Sequence, residues 1–390
     1  MCIRDRLTVA LMMRWARREF GSFAAVAAGL GLAISWWPII FSRVGLRPIM
    51  EPFMLLIFAW FWPRRPWLAG LFLGLAVYTY TGARVVFLLP ILLFIYWLIA
   101  QRWADVRQRK VLNWEVAEPL RSSLIVLLVS ILAAVPLFWT LRADPSLQQR
   151  VQQLEGPLVA LQQGNIGPIF SNTLATLGVF SFNGDPRWTY TLPDQPLFDP
   201  ITAILFYGGL LLSILRFKRP AYAFALIWLI VGLIPSAITP QAPSTIRLIG
   251  AMPVIYLMPA LAVSWLWRRA GKRPRHDDDR RRYGQGWLLV IFGLVVLLNL
   301  SLTVGNGFMR WPAELEARMK YQAVWRDLAF YLQDTPARGL VVADSFYRPI
   351  TVDSLRRNMN QSLAARWVQT GSDVAGAVVI PQEEGALLVV

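Results

Sequence analysis

The sequence predicts an all-α polytopic membrane protein of about nine transmembrane helices, carrying a small extracytoplasmic α/β domain at its C-terminal end. Of 390 residues, 56% are apolar and only 16% charged, whereas about a quarter of a soluble domain is charged. The mean hydropathy is +0.46. Apolar runs of about 20 residues, the length that crosses a bilayer core as a helix, recur along the chain.

Nine spans follow from these runs: 21–41, 49–62, 66–82, 84–100, 121–142, 199–216, 220–239, 246–267 and 287–305. The second has 14 residues and rises only about 21 Å as a helix, against a hydrocarbon core of roughly 30 Å. A re-entrant helix there would carry five N-terminal cations to the wrong side, so it is read as a crossing. Cytoplasmic loops are enriched in Lys and Arg, and the loop at 268–286 holds eight. Residues 1–20, 63–65, 101–121 and 216–219 alternate onto the same side and raise its count to 23. The opposite side holds seven: Arg43, Arg47, Arg84, Arg142, Arg150, Arg187 and Arg247. The expectation is a cytoplasmic N-terminus and a C-terminal domain outside.

The charge of +16 would point a soluble protein toward nucleic acid. Here residues 306–390 hold nine basic and nine acidic residues, so the excess lies between the spans and nucleic acid is not a partner. The lone Cys2 cannot form an intramolecular disulfide, and the lone His276 cannot build a multi-histidine metal centre. No cofactor or metal site is expected. Divalent-metal dependence stays open, since Asp277-Asp278-Asp279 falls in the cytoplasmic loop, flanked by Arg, and reads as solvated charge.

Two domains are expected, a transmembrane one over 1–305 and an extracytoplasmic one over 306–390. The outer loop 143–198 opens with a helical apolar stripe, Leu147, Val151, Leu154, Leu158 and Leu161, as an interfacial helix would. The tail carries an amphipathic segment near 324–332, then β-like runs at 339–345, 376–381 and 386–390. The last run meets the chain terminus without a following turn, which suggests a fragment at that end.

Ionisable groups inside membrane helices are costly and mark function. None sits mid-span; they gather at the outer ends as Arg43, Arg47 and Glu51, then Arg84, Arg142, Asp144 and Arg247. An outer rim rich in Arg suits an anion at the membrane boundary, because guanidinium groups grip phosphate oxygens in a fork. A lipid phosphate fits that place. Each arginine taken singly also suits snorkelling to headgroups. The segment Phe182-Asn183-Gly184-Asp185-Pro186-Arg187-Trp188 offers Asp185 to a hydroxyl and Trp188 to a sugar face, or forms a rigid turn with an interfacial Trp. The run Tyr78-Thr79-Tyr80-Thr81 reads as an aromatic belt or as a pocket wall, and Asn299 as an interhelical hydrogen-bonding residue.

The segments SWWPIIFSRVGLRPIMEP at 35–52, PWLAGLFLGLAVYTYTGARVVFLLP at 66–90, FSFNGDPRWTYTLPDQPLFDPITAILFYGGL at 180–210 and APSTIRLIGAMPVIYLMPAL at 242–261 resemble bacterial membrane glycosyltransferases of the GT-C superfamily. The resemblance is to the protein-mannosyltransferase and aminoarabinose-transferase type, glycosyltransferase family 39. It covers most of the chain from about Arg14 and implies an inverting transfer of a sugar from a polyprenyl-phosphate carrier to a glycan, lipid or protein acceptor. The setting it implies is the outer face of a bacterial cytoplasmic membrane, with membrane lipid as a further partner.

Such a reaction needs a carboxylate to take the acceptor's proton and cations to steady the departing phosphate. The resemblance aligns Arg43 with an arginine near the carrier phosphate. Sidedness and position add Arg84 and Arg247, and place Arg187, Trp188 and Tyr80 as acceptor or sugar contacts. Family members begin with a further helix and an acidic outer loop that holds the catalytic base, and nothing before Gly21 matches them, so the chain reads as missing its front end. Glu51 and Asp185 are the outer carboxylates left for that role, each equally placed to pair with a neighbouring Arg. A flippase for lipid-linked saccharides would need a polar track across the membrane, and a scaffold would use the arginines only as anchors.

Overall fold

The computed structural model describes residues 3–107, 114–148, 155–271, 278–321, 323–334, 339–344, 365–369 and 386–389. They fall into two compact units, Met1–Gly307 and Phe308–Val390. The first unit begins with α1 (Ile3–Phe20), α2 (Ser22–Ile34), α3 (Trp36–Val44), α4 (Met50–Phe61), α5 (Pro66–Ala76), α6 (Leu88–Arg107) and α7 (Trp114–Ala143). Two short helices follow, α8 (Gly156–Gln162) and α9 (Gly167–Gly178). The unit closes with α10 (Pro200–Leu215), α11 (Pro220–Ala237), α12 (Met252–Ala270) and α13 (Asp278–Leu302).

Local chemistry fixes several of these boundaries. Helices α5, α10 and α11 each start on a proline, whose fixed φ suits the first turn and whose missing N–H would have no helical partner there. Asp199 caps α10, Oδ1 accepting from the N–H groups of Ile201 and Thr202 at 3.0 and 3.2 Å. The break between α2 and α3 falls at Ser35, with a bend of 53°. Pro38 has no N–H to continue the α2 ladder, which is the ordinary cause of such a bend.

The centre of the unit is α12, where Val254, Ile255, Leu257 and Met258 are fully buried. Trp15 of α1 packs 5.6 Å from Trp228 and 5.9 Å from Phe224, ring to ring, both on α11. The Trp228 Nε1–H donates to the Gly250 carbonyl at 2.8 Å, so a polar edge of this aromatic core is satisfied. Helices α7 and α13 expose Leu128, Leu132, Trp139, Leu294 and Leu297, apolar surface suited to a hydrocarbon surrounding.

Helices α10 and α12 meet backbone to backbone at Gly209, where a Cβ would lie 1.8 Å from the Met258 carbonyl oxygen. Small residues permit such approaches between membrane helices. The expected result of Gly209→Ala is a loss of about 1–3 kcal/mol, the usual cost of forcing extra volume into a packed contact. It should appear as a lower thermal unfolding midpoint in detergent, and an unchanged midpoint would show that the two helices separate freely.

Among the described residues five helical segments are long and apolar enough to cross a membrane: Thr81–Ala100, Glu118–Ala143, Pro220–Ala237, Ile249–Ala270 and Gly284–Ala313. The bent pair α2 and α3 makes a sixth if counted as one span. By length and composition this is a multi-pass membrane protein. The other expected crossings are shorter helices: α4 has 12 residues, α5 has 11 and α10 has 16, fewer than the roughly 20 a full crossing takes.

The N-terminal segment, expected on the cytoplasmic side, forms α1, which folds back along α2 after Gly21 and sets Met13 against Gly29. Arg18 fits the packed interior because its guanidinium donates to the Trp60 and Ala59 carbonyls at 2.6 and 3.0 Å and lies 4.6 Å over the Trp60 ring. In the outer loop, Val151 and Leu154 of the expected stripe lie outside the described residues; Leu158 and Leu161 fall on α8.

In the second unit, α14 (Leu315–Lys320) and α15 (Ala323–Asp334) precede β1 (Gly339–Asp344), β2 (Ala365–Gln369) and β3 (Ala386–Val389). The three strands form a parallel sheet in the order β2-β1-β3, with Val341 opposite Arg366 on one side and Leu388 on the other. Two of the expected runs are β1 and β3, β2 was not expected, and the run at 376–381 lies outside the described residues.

Candidate functional site

The loop between α9 and α10 is closed on itself. Leu197 and Phe198 donate to the carbonyls of Val179 and Phe180 at 2.9 and 3.3 Å, and Gly184 donates to Asp194 at 3.0 Å. A Cβ at Gly184 would lie 1.8 Å from the Gln195 carbonyl oxygen, so only glycine lets the two arms come this close. The Trp36 Nε1–H donates to the Tyr190 carbonyl at 2.9 Å, and the Phe41 ring lies 4.6 Å from that of Tyr190, which fastens the loop to α3.

This loop carries Asp185, which is fully buried. Arg187 grips both of its oxygens, Nε to Oδ1 and Nη2 to Oδ2, each at 2.8 Å. Oδ1 also accepts from the Arg187 backbone N–H at 3.2 Å, and Oδ2 from the Thr245 N–H and hydroxyl at 2.9 Å each. Five hydrogen bonds therefore occupy the carboxylate. Burial works against the charge on Arg187, but the hydrogen bond and negative charge of Asp185 outweigh it and hold the guanidinium above its usual pKa, with Tyr190 and Tyr80 adding to the effect.

The Arg187 Nη2 donates onward to the Ser244 hydroxyl at 2.5 Å. The Ser244 N–H donates to the Ser236 hydroxyl at 3.2 Å, which shares a 2.9 Å hydrogen bond with Thr176. Arg247 follows in the same segment, only 7% exposed. It donates to the Pro240 carbonyl and hydrogen-bonds Tyr80. Among the described residues no carboxylate forms an ion pair with Arg247, and its direct partners are neutral oxygens. Asp185 and Arg187 lie near enough to act on it electrostatically.

Of the eight residues singled out in the sequence, Tyr80, Asp185, Arg187 and Arg247 are thus brought together from three separate segments. Glu51 is 4% exposed and packs against Gly250, three residues beyond Arg247 in the chain. No hydrogen bond engages its carboxyl among the described residues. Trp188 is half-buried beside Arg187. Arg84 points elsewhere, 5.8 Å over the Phe138 ring of α7, and Arg43 lies exposed in the last turn of α3. Thr245, Ser244, Ser236 and Thr176 were not anticipated; single hydroxyls in apolar runs give no periodic signal.

Beside this cluster lies a cavity of about 250 Å³ whose lining includes Trp36, Trp37, Tyr190, Tyr256, Asn299 and Thr245. Thr245 belongs to both, lining the cavity and holding Asp185. Trp37 has a buried indole N–H without a hydrogen-bond partner. Asn299 donates to Asp199 Oδ2 at 2.9 Å and Thr202 Oγ1 at 3.0 Å, joining α13 to the start of α10. Among the described residues no group of three or more His, Cys, Asp or Glu side chains gathers.

No protein-family profile matches the chain, and no curated protein matches it. Solved structures align with it at TM-scores below 0.5. The archaeal oligosaccharyltransferase AglB from Archaeoglobus fulgidus, in complex with an inhibitory peptide and a dolichol-phosphate, is 16% identical with a TM-score of 0.44, over 88% of this chain and 50% of that one. ArnT from Cupriavidus metallidurans bound to undecaprenyl phosphate is 16% identical with a TM-score of 0.45, over 92% of this chain and 70% of that one. The chain spans about half the length of the oligosaccharyltransferase.

Proposed function

We propose that this chain is an integral-membrane glycosyltransferase that moves a sugar, with inversion, from a polyprenyl-phosphate carrier to a glycan, lipid or protein acceptor at the extracytoplasmic face of a bacterial cytoplasmic membrane. The observation that carries the reading is Arg247: a buried cation without an ion-paired carboxylate among the described residues, hydrogen-bonded by Tyr80 and next to a second guanidinium. A buried unbalanced charge is costly unless an anion completes it, and a phosphate does so with charge-assisted hydrogen bonds. The GT-C resemblance of the surrounding segments supports a lipid-borne phosphate.

In this reading Arg247 and Tyr80 hold the phosphate as charge builds on it, Arg43 meets the carrier farther out, and Arg84, turned to the Phe138 ring, anchors the helix at the headgroups. The neighbouring cavity, with its aromatic faces and amide and hydroxyl groups, takes the sugar, with Arg187 and Trp188 at its edge. Asp185 serves position and not proton transfer, since its lone pairs are already occupied. Glu51, buried against Gly250 and without a hydrogen bond among the described residues, is the carboxyl left for the acceptor's proton and would act once ionised. No cofactor takes part in this scheme.

The test compares the full chain in nanodiscs with polyprenyl phosphate and with the matching polyprenol, which lacks the anion. Saturable binding of the phosphate, at least about tenfold tighter than of the alcohol, is expected from one or two charge-assisted hydrogen bonds. Equal binding of both, or of neither, would overturn the reading.

A further inference from the structure

At the far end of α11 and α12 from Arg247 lies a second cavity, of about 740 Å³. The 18 residues of α11 span about 27 Å, from Pro220 at this cavity to Ser236 at the first site. Four arginines line it: Arg216 and Arg219 from the α10–α11 turn, Arg268 and Arg269 from the last turn of α12. These pairs are about 50 residues apart in sequence, and the fold brings both to one hollow.

Three of the four arginines are held in place by neutral groups. Arg216 Nη1 donates to the Tyr222 hydroxyl at 3.0 Å, with its guanidinium 5.5 Å over that ring. Arg268 Nη1 donates to the Phe20 carbonyl at 3.0 Å, and Arg269 lies 5.2 Å over the Trp265 ring. Among the described residues the single carboxylate in the lining, Glu19, is already bound by Arg18 at 2.6 Å. Helix α11 also opens here without a side-chain cap, adding the positive end of its dipole.

A topological excess of cations explains charge on one side of a membrane, but it does not require four guanidiniums around one hollow with aromatic walls. We propose that this cavity is a binding site for a phosphate-bearing anion, separate from the Arg247 site and independent of the function assigned to it. Guanidinium forks match phosphate oxygens, and basic pockets between transmembrane helices bind lipid head groups. A lipid phosphodiester and a free phosphate share this chemistry, and the measurement separates them.

The full chain in detergent is titrated with cardiolipin, with phosphatidylcholine and with inorganic phosphate, and bound ligand is read by native mass spectrometry. The double variant Arg219→Gln/Arg269→Gln leaves the Tyr222 and Phe20 hydrogen bonds in place, and Arg219→Lys/Arg269→Lys keeps the charge as a folding control. Saturable cardiolipin binding over phosphatidylcholine, weakened at least about tenfold in the Gln variant and largely kept in the Lys variant, supports a lipid phosphate. The same pattern with inorganic phosphate alone supports a soluble ligand. Equal binding by wild type and Gln variant, or binding of neither anion by the wild type, overturns the proposal.

Discussion

Arg247→Gln is expected to weaken binding of polyprenyl phosphate by roughly 10- to 100-fold, since a hydrogen bond to a charged group contributes about 1.5–3 kcal/mol. Glutamine keeps the aliphatic stem and an amide donor while the charge is lost. The same change at Arg84, whose guanidinium lies over the Phe138 ring and away from the cluster, should alter binding less than about threefold, as snorkelling arginines do little beyond packing. Both variants are measured in nanodiscs beside their thermal midpoints. Equal losses at the two positions, or a loss at Arg247 that tracks a lowered midpoint, would return Arg247 to a structural role.

The contrast between these two arginines shows what patterning could and could not reveal. Both stand at the outer ends of apolar runs, and sidedness alone ranks them equally. Only the fold turns one toward Tyr80 and Asp185 and the other toward α7. Long apolar runs were legible because about 20 consecutive apolar residues admit few structures besides a spanning helix. The shorter α4 and α10 were legible to within a residue at each end, whereas α5 stops at Ala76, short of the expected 66–82, since the turn residues after it are as apolar as the helix itself. Helix α1 was missed because its arginines lower the local hydropathy; the Ala59 and Trp60 carbonyls that satisfy Arg18 are about 40 residues away in sequence. Strand β2 was missed for a related reason: the segment ARWVQ alternates too briefly to stand apart from a helix or loop.

The loop motif at Asp185 was legible as a turn and a possible ligand for a hydroxyl, and its partners decide between the two. Asp185→Ala is expected to destabilise the first unit by about 3–5 kcal/mol, the cost of removing one partner from a buried ion pair. It leaves Arg187 without its counter-ion and the Thr245 N–H without an acceptor, and it frees Ser244 to move. Asp185→Asn should be nearly as harmful, because an amide cannot accept on both sides of the Arg187 fork. The double variant Asp185→Ala/Arg187→Ala should lose less than the two single variants combined, by about 0.5–3 kcal/mol, as expected for residues in direct contact. Thermal or denaturant unfolding in detergent measures all four proteins. Additive losses, or an Asp185→Asn protein that unfolds like the wild type yet has lost sugar transfer, would make Asp185 a proton acceptor and not a positioning group, and the base would move from Glu51 to the loop.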